Sequence, residues 1–312
     1  MKIAHVVSMS GGKDSTATAL LALEKHPRES LKFVFADTGN EHEAVYEYLE
    51  YLQGKLDIVI AVLKADFTRE IRNKRKFIAR DQRTKRRNGK KMRWTNKAKR
   101  RALEVLHPTG NPYLDLCMWK GRFPSRRAQF CTQFLKTQPM IRYQHDLVDR
   151  GFTVISWQGV RRDESHARRD VLQIEQADES IWQYRPIADW TAQDVFEMHF
   201  KHGVKPNPLY KQGLSRVGCM PCINASKGEI RAIAQRFPEH IERIAEWERM
   251  VCPAGKRGHA SFFPDLERDN MPHPDIYARV EWAKTARGGR QYDLIAAADE
   301  SLACASSYGL CE

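Results

Sequence analysis

Three short apolar runs, residues 3–7, 31–36 and 56–63, are separated by stretches of helical composition, and this alternation leaves few folds open to the chain. Parallel strands need a long crossover, and a helix normally fills it, so strand and helix in alternation point to βαβ units. Thr16 to Lys25, rich in Ala and Leu, is predicted as a helix ended by Pro27, and Glu43 to Leu52 as a second. Residues 137–150 read as another helix and Phe152 to Trp157 as another strand. The expected fold is α/β, a doubly wound and mainly parallel sheet. Past residue 185 the chain becomes Pro-punctuated and mostly helical. The expected organisation is therefore an α/β domain over residues 1–185, a helical C-terminal region over 186–312, and a polar, flexible tail.

With 312 residues, 42% of them hydrophobic, the chain has material for a substantial core. No apolar stretch approaches the ~20 residues that cross a bilayer. Met1 to Val7 lacks the pattern of a signal peptide. Seven cysteines without an export signal are expected to be reduced, metal-bound or catalytic rather than paired. The expected compartment is the cytoplasm, with no membrane partner.

Charge is concentrated in one place. Residues 69–101 hold 17 Lys and Arg against Glu70 and Asp81, a net charge of +15, while the whole chain carries +13. This insert reads either as a solvated helix or loop, or as a grip on a polyanion such as a nucleic acid, with Phe77 and Trp94 as stacking or anchoring groups.

The first strand runs into Ser10-Gly-Gly-Lys-Asp-Ser15 and then a helix. Gly11 and Gly12 let the backbone approach an anion, the helix N-terminus offers N–H groups and a positive dipole end, and Lys13 adds a charge. Ser10 and Ser15 can donate to phosphate oxygens, and Asp14 completes the turn. The spacing matches neither a Walker A loop nor Gly-x-Gly-x-x-Gly. Two further polar clusters, Asp37 to Asn40 and Gly159 to Ser165, also follow predicted strands, the edge where such sheets bind ligands.

Ser10–Ser15 resembles the pyrophosphate loop of the adenine-nucleotide α-hydrolase (ATP pyrophosphatase) superfamily. Ala36-Asp-Thr-Gly-Asn-Glu41, Cys131-x4-Lys136-x2-Pro139, Gly159-Val-Arg-Arg-Asp-Glu-Ser165 with Arg168, and Asn207-Pro-Leu-Tyr210 leading to Cys219-Met-Pro-Cys222 resemble elements of its phosphoadenosine phosphosulfate (PAPS) reductase branch. The resemblance spans residues 3 to about 222 and implies that residues 1–185 bind ATP or PAPS, with Mg²⁺. It implies nucleotide contacts at Ser10, Gly11, Gly12, Lys13, Asp14, Ser15, Asp37, Thr38, Gly39, Gly159, Arg161, Arg162, Glu164, Ser165 and Arg168. Asp37 is expected on the nucleoside side or with Mg²⁺. Lys13, Lys136 and Arg161 are the expected catalytic cations, since phosphoryl and adenylyl transfer depend on positioning and charge neutralisation.

Cys219-x2-Cys222 alone suits zinc, an iron–sulfur cluster or thiol exchange. The resemblance implies a 4Fe–4S cluster more than Zn²⁺, on Cys117, Cys131, Cys219 and Cys222, with Cys311 the other candidate for the fourth ligand. Two departures stand out. Phe130-Cys131 replaces the reductases' adjacent cysteines, and Tyr308-Gly-Leu-Cys311-Glu312 lacks their Glu-Cys-Gly-x-His element. Three functions follow: adenylylation of a substrate, possibly a nucleic acid, for sulfur transfer from a sulfur donor; thioredoxin-dependent PAPS reduction releasing sulfite; or nucleotide-dependent nucleic-acid binding without turnover.

Overall fold

The computed structural model describes residues 2–264, 274–286 and 291–292. Cys304, Cys311 and the expected tail lie outside the described residues. The chain forms two compact units interleaved in sequence, one from Met1–Lys64 and Lys136–Met220, the other from Ala65–Leu135 and the described residues from Pro221 onward. The boundary expected at 185 therefore falls inside the first unit. The reason is packing: the helix after it, Ala192–Lys201, lies against the first helix of the chain.

The first unit is built on β1 (Lys2–Met9), α1 (Lys13–Lys25), β2 (Leu31–Asp37), α2 (Glu43–Leu56) and β3 (Ile60–Lys64). The second unit contributes α3 (Thr68–Arg80), a hairpin of β4 (Arg86–Arg87) and β5 (Lys90–Lys91), α4 (Asn96–Val105) and α5 (Pro112–Lys120). A wide turn, Thr132–Thr137, leads into α6 (Gln138–Asp149), followed by β6 (Phe152–Trp157), β7 (Ile174–Asp178), β8 (Ile181–Tyr184) and α7 (Ala192–Lys201). Helices α8 (Lys227–Arg236), α9 (Pro238–Ala254) and α10 (Ile276–Ala283) complete the second unit as described.

The sheet of the first unit has the order β3-β2-β1-β6-β8-β7. All neighbours are parallel except β7, which runs antiparallel to β8 at the edge. It is the doubly wound, mainly parallel α/β sheet expected from the sequence. Ala4, Val6, Val34, Val154 and Ile181 form a core with Leu147 of α6 on one face, while α1 packs on β1 and β2. A strand covered on both faces is apolar throughout rather than alternating, which is why β1 and β2 stand out in the sequence.

Three details differ from expectation. The third strand begins at Ile60, not Leu56, because α2 continues to Leu56 and is closed by Asp57 in the left-handed region (φ 50°). The β7–β8 pair has no clear apolar signal; Leu172 and Ile174 beside the edge are more than half exposed. The basic insert is folded: Ile71, Ile78, Trp94 and Ala98 are buried. Trp94 is thus core, not an exposed anchor, and its backbone N–H donates to Asp81 at 2.7 Å. Among the described residues no helix is long and apolar enough to cross a membrane.

Candidate functional site

Strand order fixes where a ligand can sit. The chain leaves β1 on one side through β2 and β3 and returns on the other side as β6, so the two loops that follow β1 and β6 flank the switch point of the sheet. These loops carry Ser10–Ser15 and Gly159–Ser165. They meet closely: a Cβ on Gly159 would lie 2.9 Å from backbone atoms of Asp14 and Ser15, so only glycine allows the approach. Gly11, at φ +71°, has the same constraint, since a Cβ would come 2.8 Å from Val45 Cγ1.

The Ser10–Ser15 turn is held from within. Ser10 N–H donates to Ser15 Oγ at 3.1 Å, and Ser15 Oγ donates to Gly12 O at 2.9 Å. Gly12 is the N-cap of α1 and offers no side-chain cap, so the turn ends in backbone rather than in a capping oxygen. It is also held from a distance. Tyr210 OH accepts from Lys13 N at 2.9 Å, Asn207 Nδ2 donates to Gly11 O at 3.1 Å, and His199 Nε2 donates to Lys13 O at 2.9 Å. A carbonyl only accepts, so His199 carries its proton on Nε2. Burial draws its pKa below the ordinary imidazole value. Asn207-Pro-Leu-Tyr210, expected to lead into a metal segment, thus also braces the Ser10–Ser15 turn.

Asp14 joins the two loops. Its Oδ2 meets Lys13 Nζ at 2.7 Å and its Oδ1 meets Arg161 Nε at 2.6 Å. Lys13 and Arg161 are both 4% exposed, and Arg161 also meets Asp163 at 2.7 Å. Two of the three expected catalytic cations therefore share one carboxylate. Arg168 pairs with Glu164 and is half-buried. Burial and the guanidiniums of Arg216 and Arg161 pull Arg168 below its ordinary value, while Asp14 acts the other way. Like charges crowded around one half-buried arginine make a favourable place for an anion.

Other expected residues fall differently. Arg162 is engaged with Val171 O at 2.9 Å and with Asp189, so it holds the loop. Ser165 is exposed, and its carbonyl accepts from Arg168 N at 3.0 Å. Lys136 is exposed near the end of the Thr132–Thr137 turn. After β2, Asp37 Oδ1 accepts from Gly39 N and from Tyr46 OH, each at 2.8 Å, and Oδ2 meets Lys64 Nζ at 3.0 Å. Burial and the Glu41 and Asp37 carboxylates push the Tyr46 hydroxyl far above its ordinary value, so it stays a donor. Thr38 Oγ1 donates to Glu41 Oε1 at 2.7 Å. Sequence reading did not single out Glu41, Tyr46, His199 or Arg216. Glu41 and Tyr46 follow β2 closely enough to be found by their position; His199 and Arg216 carry no local signal.

The cysteines divide by unit. In the second, Cys117 is fully buried, and burial together with the neighbouring Cys131 pushes its thiol well up. Arg126 Nη2 donates to Ala225 O at 3.1 Å, which ties the loop carrying Cys222 to the turn ahead of Cys131. Cys131 and Cys222 are half-buried. In the first unit, Cys219 lies 3.4 Å from Thr38 Oγ1 and donates to Glu41 Oε1 at 3.7 Å.

Residues 4–225 match the family model described as the phosphoadenosine phosphosulfate reductase domain. The chain belongs to that family. It is 48% identical to an uncharacterized 37.8 kDa protein in the gpa 5' region of Escherichia phage 186, over 99% of this chain and 96% of that protein. It is 38% identical to the adenosine 5'-phosphosulfate reductase of Salinibacter ruber over 66 residues, 20% of this chain and 26% of that enzyme. Among solved structures, phosphoadenylyl-sulfate reductase from Candida auris, in its phosphate complex, covers 69% of this chain and 80% of its own, with 14% identity and TM-score 0.41. As a PAPS reductase family member, the chain carries the family's match across both strand-end loops described above.

Proposed function

We propose that the chain is an adenine-nucleotide enzyme whose phosphate site is the Ser10–Ser15 corner, and that it activates an acceptor by adenylylation for sulfur transfer. The observation that carries this reading is Asp14, which holds Lys13 and Arg161 together where the two switch-point loops meet. An arriving anion can draw both cations without rearranging the backbone, which is the preorganisation that phosphoryl chemistry rewards. The acceptor oxygen attacks the α-phosphorus of ATP, the bond from that phosphorus to the α–β bridging oxygen breaks, and pyrophosphate leaves. A sulfide-level donor then attacks the acceptor carbon; a C–S bond forms, the C–O bond breaks and AMP departs with the oxygen. Mg²⁺, when bound with the nucleotide, would be held by the phosphates rather than by Asp37, both of whose oxygens already have donors. The acceptor class that the basic insert favours is a nucleic acid. The thiols Cys117, Cys131 and Cys222 are proposed to hold a 4Fe–4S cluster, with Zn²⁺ as the alternative; a bound cluster would supply sulfur or electron relay.

The test sets two assays side by side. Pyrophosphate release from Mg·ATP, lowered about 10²-fold or more by Lys13→Met, is the expected result. Sulfite release from PAPS with reduced thioredoxin, without ATP cleavage, would replace this reading with that of a reductase. Neither product from either nucleotide would leave only a binding protein.

A further inference from the structure

We infer that the exposed face of α3 is a track for single-stranded nucleic acid. The inference rests on the acceptor class proposed above and is independent of the nucleotide chemistry. It starts from how the 17 cations of residues 69–101 divide. Lys74, Arg75, Arg83, Lys99 and Arg101 donate to backbone carbonyls within the second unit, so they belong to its fold. Arg69, Arg72, Lys76 and Arg80 are instead exposed. Their spacing of three, four and four residues puts them within about 80° of one another around the helix, in a stripe about 17 Å long. Buried Ile71 and Ile78 lie on the opposite side.

Beside the stripe stands an aromatic ring that the fold does not cover. Phe77 is 47% exposed, with the Arg83 guanidinium 4.7 Å over its ring. Lys76, Phe77, Arg80, Asp81, Gln82 and Arg83 line a concavity of about 290 Å³ at the end of α3. Asp81 adds little repulsion there, because Arg83 at 2.7 Å and the Trp94 N–H already engage it. The Arg83 hydrogen bonds hold this carboxyl well below the usual carboxylate range.

Cations in a row bind phosphates, while an exposed ring among them binds the face of a base. A duplex keeps its bases stacked inward and offers Phe77 no such face; an acidic protein surface offers none either. The chemistry that fits both halves of the patch is an unpaired strand, with its backbone along α3 and one base against Phe77.

Fluorescence anisotropy with labelled oligothymidylate, an abasic oligomer and a duplex, over a salt series and without adenine nucleotide, tests the inference. In the R69Q/R72Q/K76Q/R80Q variant the slope of log affinity against log salt should shrink by about 2.8, at ~0.7 per phosphate contact. In the milder R72Q/K76Q variant it should shrink by about 1.4. Phe77→Ala should weaken oligothymidylate about fivefold or more, leaving the slope and the abasic oligomer unchanged. An unchanged slope in both charge variants, with wild-type melting, overturns the track. Duplex binding as tight as single-strand binding, with Phe77→Ala neutral, overturns the single-strand assignment. A negative result leaves the Ser10–Ser15 site standing, and an inactive Lys13→Met enzyme leaves the track standing.

Discussion

Lys13 and Arg161 in the first unit bury charge by one rule, Lys74 and Glu248 in the second by another. In the first, Lys13 and Arg161 sit against Asp14, so buried charge meets opposite charge. In the second, Lys74 Nζ donates to Met118 O at 2.8 Å and Ala254 O at 3.1 Å, and burial pulls its pKa down to about 8. Glu248 there accepts from Phe262 N at 2.7 Å and Ile276 N at 2.9 Å, and burial pushes its carboxyl up to about 7. Backbone dipoles satisfy the hydrogen bonds of these groups without cancelling their charge, so the groups drift toward their neutral forms. Lys13 and Arg161 instead face a carboxylate, so opposite charge offsets theirs directly. The contrast separates charge paired with charge from charge used to tie helix ends together.

The strongest way to break this contrast is to remove Asp14. Asp14→Ala leaves two buried cations without their shared partner and should destabilise the protein by about 3–5 kcal/mol. The urea midpoint measures this, and added pyrophosphate should restore part of it. A loss under ~1 kcal/mol would mean that the corner holds no strained charge.

Glu248 sharpens the other side. Its folded pKa, about 7, lies above its unfolded value, so between about pH 4.5 and 7 the native state binds more protons than the unfolded one. Its contribution to stability is fully present below that window and is lost as pH rises through about 7, by up to ~3 kcal/mol. Glu248→Gln should flatten this part of the stability–pH profile, read by denaturant titration at several pH values. A variant that keeps the wild-type slope would place the proton elsewhere.

The smallest effect lies within one pair of neighbours. Arg101 donates to Gly255 O at 2.9 Å and to Lys256 O at 3.2 Å, while Arg100 is exposed. Arg101→Gln should cost about 1–2 kcal/mol and Arg100→Gln under ~0.5 kcal/mol. Equal losses in thermal unfolding would erase the division of the insert into folding and surface cations.

Much of the first unit was legible because its central strands are covered on both faces and so are mostly apolar. The β7–β8 pair escaped notice because its half-exposed edge carries no such run. Within the site, Ser10–Ser15 could be read from glycine, lysine and the helix that follows, since these act over one turn. Arg162 was read as a phosphate contact from the resemblance of its loop, and the fold shows it engaged with Val171 and Asp189. Trp94 was read as an anchor among charges, and it is core. A charge run hides whether each member faces solvent or a carbonyl.

The sequence by itself determined the α/β alternation, the glycine corner between the first strand and helix, and the concentration of positive charge between residues 69 and 101. These depend on local preference and on composition, which neighbours along the chain suffice to express. Only the tertiary structure decided that Asp14 couples Lys13 to Arg161, that Asn207, Tyr210 and His199 brace the same turn from almost two hundred residues away, and which cations are left facing water. Electrostatic pairing falls off within a few ångströms, so it depends on which side chains the packed strands and helices bring together.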